Sequence, residues 1–186
     1  MKKLKNYIIG HKSEMIVPEF NEIGKLCAKI IEGNNIYLVE QSPKAIIEKS
    51  LLCYGSDFQG SVKSSKSILG NVCMPPIAIC PALDLYWFPS ASPYRNDCVW
   101  ISLAHFQDVK KVNDQKSKVI FKNGFSLCLD ISVQSILSRR SLALLLRYEM
   151  EQHLKSQMSV LYKSRNGFTL IKQPEELKYV IRISEN

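Results

Sequence analysis

A cysteine and a histidine beside a short apolar run are the residue types most able to do covalent chemistry. Cys98 and His105 flank this run, which extends from Val99 to Ala104. A thiol nucleophile needs a histidine within hydrogen-bond reach, but on one straight strand an odd separation puts the two side chains on opposite faces. Their Cα atoms would also be about 23 Å apart at roughly 3.3 Å per residue. The spacing does not support a cysteine hydrolase, although His11 or His153 could approach from elsewhere in the chain.

The cysteines also include potential zinc ligands. Zinc accepts the side chains of Cys73, Cys80, Cys98 and His105 as ligands. The spacing between Cys73 and Cys80, however, is not that of a compact zinc knuckle. The sequence has no C-x-x-C pair, and its cysteines lie mostly in apolar runs, which is typical of reduced core residues. The aspartates fall at predicted turns or strand ends, where Asp is favoured locally. We therefore predict a protein that is not an enzyme and that needs no metal or cofactor.

Positive charge is the main indication of a partner. The formal net charge is +8, and residues 110–165 contain eleven Lys or Arg against four Asp or Glu. A basic surface suits a polyanion, because phosphate contacts release counterions. A basic domain that binds no nucleic acid would have the same composition. No zinc finger, basic-zipper repeat or RNP-like aromatic strand is present, so any DNA contact is expected from loops and strand edges.

The stretch from Phe88 to His105 combines a polar loop with an apolar run. Residues 98–104 are bounded by turns and rich in β-branched and aromatic types, which predicts a buried strand with Trp100 in the core. The preceding loop, residues 90–97, carries one basic side chain, Arg95. An arginine on a polar loop is suited to a narrow, electronegative minor groove. We therefore expect the functional interest of this stretch to lie in Arg95.

The patterns elsewhere predict an α+β fold of mostly antiparallel strands and hairpins. Hairpins are predicted around Gly33-Asn34-Asn35, around Asn123-Gly124, and between residues 4–9 and 15–17. Ser42-Pro43 predicts the start of a helix near 43–54. The Ser- and Gly-rich segment 55–67 predicts a mobile surface loop, with a phosphate-binding loop as the alternative.

A long apolar helix is predicted near 132–153, either covered by its own domain or shared with a second copy. We predict a DNA-binding domain over 1–155 and a C-terminal extension over 156–186 that could pack on it. The extension has extended patterns at 159–162 and 168–171 and a short helical pattern at 174–179. The start resembles no signal peptide and no segment is long enough to cross a membrane, so a cytoplasmic, nucleoid-associated location is expected.

A set of short motifs occurs in one order along residues 22–150. They are Gly24-Lys25-x-Cys27-x-Lys29-Ile30-Ile31-Glu32, Gly55-Ser56-x-x-x-Gly60, Pro75-Pro76-Ile77, Phe88-Pro89 with Ser90 and Ser92, Arg95-x-x-Cys98-x-Trp100-Ile101-Ser102 with His105, Val119-x-Phe121-x-Asn123-Gly124, and Ile131-Ser132 before a helix. In this order and spacing they resemble the competence transcription factor family, ComK. After Gly60 the family continues with adjacent basic residues, whereas this chain has its positive charge at Lys63 and Lys66.

The resemblance implies a transcription activator that switches on genes for DNA uptake. Family members resemble minor-groove binders that act on paired A/T-rich boxes of double-stranded DNA. It further implies a homodimer that associates into higher oligomers, and an adaptor with a Clp-type protease as regulatory partners. We expect no membrane partner.

Our predicted DNA contacts follow from charge and from this resemblance. They are Arg95 for the groove, Lys49, Lys63 and Lys66 for phosphates, and Lys116, Lys118, Lys122, Arg139 and Arg140 as a secondary basic surface. The alternative is a regulatory module that docks a partner protein through the apolar helix 132–153 without binding DNA. In that case the positive charge would serve solubility.

Overall fold

The computed structural model describes residues 2–161, 168–172 and 179–183, with side chains for residues 2–156. The internal contacts divide the chain into two units, Met1–Glu149 and Met150–Asn186. In chain order the elements are β1 (Lys2–Leu4), β2 (Ser13–Phe20), β3 (Leu26–Glu32), β4 (Asn35–Val39), α1 (Pro43–Cys53), α2 (Phe58–Leu69), β5 (Ile77–Cys80), β6 (Leu85–Pro89), β7 (Trp100–Ser102), β8 (Phe106–Lys111), β9 (Ser117–Phe121), β10 (Ser126–Leu129), α3 (Val133–Leu161), β11 (Phe168–Lys172) and β12 (Tyr179–Ile183). The predicted α+β class is confirmed.

A seven-stranded sheet organises the first unit, in the order β1-β4-β3-β2-β7-β6-β5. Its neighbours pair antiparallel except β1 and β4, which run parallel. The predicted hairpin around Gly33 is confirmed as β3 and β4, and Gly33 has φ 57°, a conformation that favours glycine.

The predicted hairpin between residues 4–9 and 15–17 is wrong. The Ile9 N–H donates to Ser50 Oγ at 3.0 Å, and the Ile9 carbonyl accepts from the Tyr54 hydroxyl at 2.9 Å. The Ile9 backbone is therefore bonded to side chains from α1 and its C-terminal end, while Leu4 pairs with Val39 of β4 rather than with β2. β2 instead pairs with β3 and β7.

The main core joins α1 and α2 to this sheet. α1 confirms the predicted helix: Ser42 Oγ accepts the Ala45 N–H at 3.2 Å and Pro43 occupies the first turn. Trp87 and Trp100 are fully buried. The Trp100 ring meets the Phe58 ring of α2 edge-on, with 6.4 Å between centroids, a favoured aromatic geometry. The predicted core position of Trp100 is confirmed.

The strand predicted over 98–104 is shorter in the structure. Only Trp100–Ser102 forms β7, although Cys98 and Val99 are also buried. Val99 is paired across the loop instead: its N–H donates to Ser90 Oγ at 2.9 Å, and its carbonyl accepts the Ser90 N–H at 2.8 Å. These two bonds close the base of the loop at residues 90–97.

The predicted surface loop over 55–67 is also wrong, because most of this segment forms α2. Asp57 caps the helix, with its Oδ1 accepting the Gly60 N–H at 2.8 Å. A Cβ added at Gly60 would lie 2.7 Å from Asp57 Oδ2, so glycine permits this close approach. Ser65 is buried and its hydroxyl donates to the Pro76 carbonyl at 2.7 Å. Two of the serines that suggested a loop, Ser61 and Ser65, therefore lie on the packed side of a helix, whereas Ser64 and Ser67 are exposed on it.

A separate three-stranded sheet has the order β10-β9-β8. The predicted hairpin at Asn123-Gly124 is confirmed, with Gly124 at φ 85°. Within the second unit β11 pairs antiparallel with β12, which confirms the extended pattern at 168–171. The extended pattern at 159–162 is wrong for 159–161, where α3 continues. The predicted helix at 174–179 lies outside the described residues except Tyr179, which begins β12.

The N-terminal half of α3 is apolar on two sides, as its sequence predicted. Ile136, Ala143 and Leu146 are buried. A stripe at helical spacing on the other side, Leu137, Leu144 and Tyr148, is 37–56% exposed. Within the described ranges no helix is both long and apolar enough to cross a bilayer.

A buried carboxylate links the two sheets of the first unit. Glu14 is 3% exposed, and its Oε1 accepts the Gly33 N–H at 3.0 Å and the Asn123 side-chain amide at 2.9 Å. The same amide donates to the Gly33 carbonyl at 3.0 Å. Burial raises the pKa of Glu14 above its usual range. This side chain therefore connects the turn of the β3–β4 hairpin with the turn of the β9–β10 hairpin.

We expect Glu14→Ala to lower the free energy of unfolding by about 1–3 kcal/mol, because the Gly33 and Asn123 donors lose their acceptor. With a raised pKa, folded Glu14 keeps its proton at pH values where the unfolded chain has released it, so stability falls as pH rises through that pKa. Glu14→Gln should keep the acceptor oxygen and remove this pH dependence. Urea unfolding across pH measures both effects, and an identical pH profile for Glu14→Gln and wild type would contradict the assignment.

We expect Asp57→Ala to destabilise the protein by about 1 kcal/mol, because α2 loses its side-chain cap. Asp57→Asn is the matched control, since asparagine caps about as well as aspartate. Denaturant unfolding measures the difference between the two variants. Equal losses in both would mean that charge, rather than capping, accounts for the effect.

Candidate nucleic-acid interface

The exposed side of α2 carries a stripe of polar and basic residues. Gln59, Lys63 and Lys66 are exposed and lie at i, i+4 and i+7, while Phe58, on the other side, is buried. The stripe spans about 10 Å at 1.5 Å per residue. No Asp or Glu occurs in residues 58–83, and neither lysine forms an ion pair with any residue whose side chain the structure describes. Both ammonium groups are available to an anion.

The loop at residues 90–97 lies at the N-terminal end of this stripe. Tyr94 is 67% exposed, and its hydroxyl accepts from the Gln59 amide of α2 at 3.4 Å. The Lys44 ammonium of α1 lies 4.7 Å from the Tyr94 ring centroid and 5.4 Å from that of Phe58, within cation–π range. Tyr94 thus connects the loop to both helices. We call Gln59, Lys63, Lys66, Tyr94 and Arg95 the loop–helix surface.

Arg95 is exposed at the tip of the loop but has a local partner. Its Nε donates to Asp97 Oδ1 at 2.8 Å, and a second bond joins the other oxygen of the same carboxylate. The pair holds the pKa of Asp97 below its usual range. Both side chains are more than 60% exposed, and an exposed pair of this kind contributes little to stability. Arg95 can therefore exchange Asp97 for another anion at small cost.

Arg139 is packed against other parts of the fold rather than fully exposed at the surface. It is half-buried and lines a cleft of about 490 Å³ with Arg95, Asp97 and Asp130. Its guanidinium lies 3.4 Å from the Pro89 carbonyl and 3.8 Å from the Met74 sulfur. Burial lowers the pKa of Arg139. Its contacts hold α3 against the end of β6.

Arg140 is likewise packed, with its guanidinium carbon 5.0 Å from the Phe106 ring centroid. Both arginines are therefore packed against neighbours within the fold, although Arg139 lines the same cleft as Arg95. Lys49 on α1 donates to the Asn6 side chain at 2.6 Å and is only half-exposed. These three positive side chains are already engaged by neighbours within the fold.

The lysines of the three-stranded sheet fall into two groups. Lys116 is ion-paired with Asp130 at 2.8 Å, which raises the pKa of its ammonium. Lys118 on β9 and Lys122 in the β9–β10 turn are exposed. The predicted secondary basic surface is therefore divided. Lys118 and Lys122 are its exposed members that form no ion pair with any side chain in residues 2–156.

The thiol and zinc alternatives gain no support from the described residues. Burial raises the pKa of Cys98 to about 11, and its sulfur lies 3.3 Å from the Ala91 carbonyl. A thiol with this pKa is a poor nucleophile near neutral pH. His105 Nε2 is bonded to the His11 carbonyl at 2.7 Å. Among the residues described, no group of three or more His, Cys, Asp or Glu could hold a metal ion.

Gln59, Tyr94 and Lys44 were not predicted from sequence. Gln59 precedes Lys63 and Lys66 at helical spacing, so the stripe would have been visible if Asp57 had been recognised as a helix cap. No local signal identifies Tyr94 or Lys44. Their pairing depends on residues fifty positions apart meeting in the fold.

Comparisons with known proteins agree with the motifs in the sequence. The model of the ComK protein family matches residues 4–155. The chain is 30% identical over 132 residues to the competence transcription factor of Bacillus subtilis (strain 168), covering 71% of this chain and 68% of that protein. No solved structure matches significantly. The predicted resemblance is confirmed: this chain belongs to the ComK family.

Proposed function

We propose that this protein is a competence transcription regulator that activates DNA-uptake genes by binding A/T-rich duplex DNA. The observation that carries the proposal is the loop–helix surface, where two lysines extend along α2 from an exposed arginine loop and have no carboxylate partner among the described side chains. Family membership and the name of the Bacillus subtilis relative support the same function. Such a protein would act at the nucleoid in the cytoplasm.

In this proposal the parts of the surface have different tasks. Lys63 and Lys66 contact backbone phosphates, which supplies affinity without sequence preference. Arg95 leaves Asp97 and enters the minor groove, where narrow A/T-rich segments have the most negative potential. Tyr94 keeps the loop against α1 and α2 through Lys44 and Gln59. The rigid helices thereby position a loop that reads the groove.

We also propose that the protein self-associates through the exposed stripe of α3. Leu137, Leu144 and Tyr148 form a solvent-exposed apolar strip within the first unit, and such strips are typical of interaction sites. The same strip would serve the alternative function, a module that docks a partner protein without DNA. The two functions are separated by a gel-shift on A/T-rich duplex against a G/C-rich control. No preference at moderate salt would favour the docking module.

We expect Arg95→Ala to cost about 1–3 kcal/mol of binding free energy on A/T-rich duplex and to weaken the preference over G/C-rich duplex, because the groove contact is lost. The loss should exceed that of Lys63→Gln or Lys66→Gln alone. Fluorescence anisotropy on both duplexes gives the two quantities. Wild-type binding by Arg95→Ala would show that the groove assignment is wrong.

Asp97→Asn and Lys25→Gln are the matched controls. Asp97→Asn should strengthen DNA binding, since Arg95 no longer leaves a charged partner. Lys25→Gln removes one positive charge from an exposed turn between β2 and β3. It should leave the A/T preference unchanged if the effect of Arg95 depends on its position rather than on net charge.

A further inference from the structure

Two lysines face each other across the middle of the three-stranded sheet. Lys110 on β8 is the direct Cα partner of Lys118 on β9, and both are exposed. Direct partners in an antiparallel pair project from the same face, with Cβ atoms about 4.5–5.5 Å apart. Like charges in this position repel each other and destabilise the sheet. Lys110 was not among the residues predicted from sequence.

The neighbouring lysines have acidic partners, whereas this pair has none among the described side chains. Lys111 is paired with Asp114, and Lys116 with Asp130. The remaining acid on this face, Asp108, uses its Oδ1 to accept the N–H of Val109 at 2.8 Å. No ion pair of Lys110 or Lys118 occurs in the part of the chain with described side chains. Among the described side chains, ion pairs therefore join the flanking lysines to acids, and neither of the two central lysines takes part in one.

The strands cannot shift to relieve this repulsion. On the opposite face Val109 and Val119 are buried direct partners, and Ser117 and Phe121 are fully buried. A slip of one residue would move this apolar set into solvent and the lysines into the core. The core thus holds both ammonium groups on the same exposed face.

We propose that this lysine pair is a second binding site for the phosphate backbone of duplex DNA, separate from the loop–helix surface. The inference rests on the proposed function and extends it. No aromatic side chain occurs in the two central rows of cross-strand partners on this face. These rows are Lys110-Lys118-Cys128 and Asp108-Ile120-Ser126. Protein interfaces are depleted in lysine and enriched in aromatics, so these rows fit phosphates better than a protein partner. Bound phosphates would also offset the repulsion between the two ammonium groups.

Cys128 provides an internal reporter for this site. It is exposed on β10 and is the direct partner of Lys118, so the three side chains form one row. DNA lying on this row would cover the thiol. Cys53, which is exposed at the end of α1, is not part of this sheet and serves as the reference.

The test compares the full chain with Lys110→Gln, Lys118→Gln and the control Lys111→Gln on A/T-rich duplex across salt concentrations. Each of the first two changes should reduce the slope of log affinity against log salt by about 0.9, the amount expected for one phosphate contact. Without DNA, the same two variants should unfold at an equal or higher denaturant concentration than wild type. Lys111→Gln should retain the wild-type slope.

Maleimide labelling of the wild-type chain, followed by peptide mass spectrometry, gives the second readout. DNA should slow the labelling of Cys128 several-fold and leave Cys53 unchanged. Because Cys128 also lines the cleft that contains Arg95, the same slowing should persist in Arg95→Ala at saturating DNA. Wild-type salt slopes in Lys110→Gln and Lys118→Gln, or equal labelling of Cys128 with and without DNA, would overturn the second site. If the second site were overturned in this way but Lys63→Gln still weakened DNA binding, the proposed function would stand without the second site. Absence of DNA binding by the wild-type chain at any salt would overturn both.

Discussion

The edge-on contact between Trp100 and Phe58 joins the two elements on which the candidate interface depends. Trp100 follows the loop at residues 90–97, and Phe58 begins α2. Because both rings are buried, they fix the base of the loop relative to the start of the helix. Tyr94 then lies beside Gln59, at the end of the lysine stripe, and Arg95 follows Tyr94 in the loop. An apolar contact in the core thereby determines the position of polar groups at the surface.

The positively charged side chains of this protein differ from one another mainly in their surroundings. Arg139 and Arg140 are adjacent in the sequence and were predicted to contact DNA, yet one contacts Pro89 and the other packs on Phe106. Lys63 and Lys66 on α2 occur in a serine-rich segment and have no acidic neighbour in residues 58–83. Desolvation and pairing reduce what a cation can offer to DNA. The accessible, unpaired side chains are therefore the better candidates for phosphate contacts.

The charged groups at the loop and at the sheet are arranged in opposite ways. Arg95 has a carboxylate two residues away that can be exchanged for another anion. Lys110 and Lys118 are direct neighbours across the strands, and neither has an ion pair among the described side chains. The first arrangement keeps a cation neutralised until a competing anion arrives, which favours selectivity. The second leaves positive charge permanently available, which favours general affinity for a polyanion.

Sequence patterns alone were enough to predict the fold class, the helix after Ser42, both glycine-centred hairpins, the burial of Trp100 and membership of the ComK family. These features depend on neighbours in the chain, such as a capping hydroxyl or a glycine at positive φ, or on an ordered set of motifs. The helix at residues 58–69 has a local signal in its Asp57 cap. The tertiary structure established how this helix packs, with Ser65 donating to the Pro76 carbonyl and Phe58 contacting Trp100. It also decided that Tyr94 meets Lys44 and that Lys110 faces Lys118. Pairing between separate elements depends on which surfaces the whole chain buries together, and no local pattern contains that information.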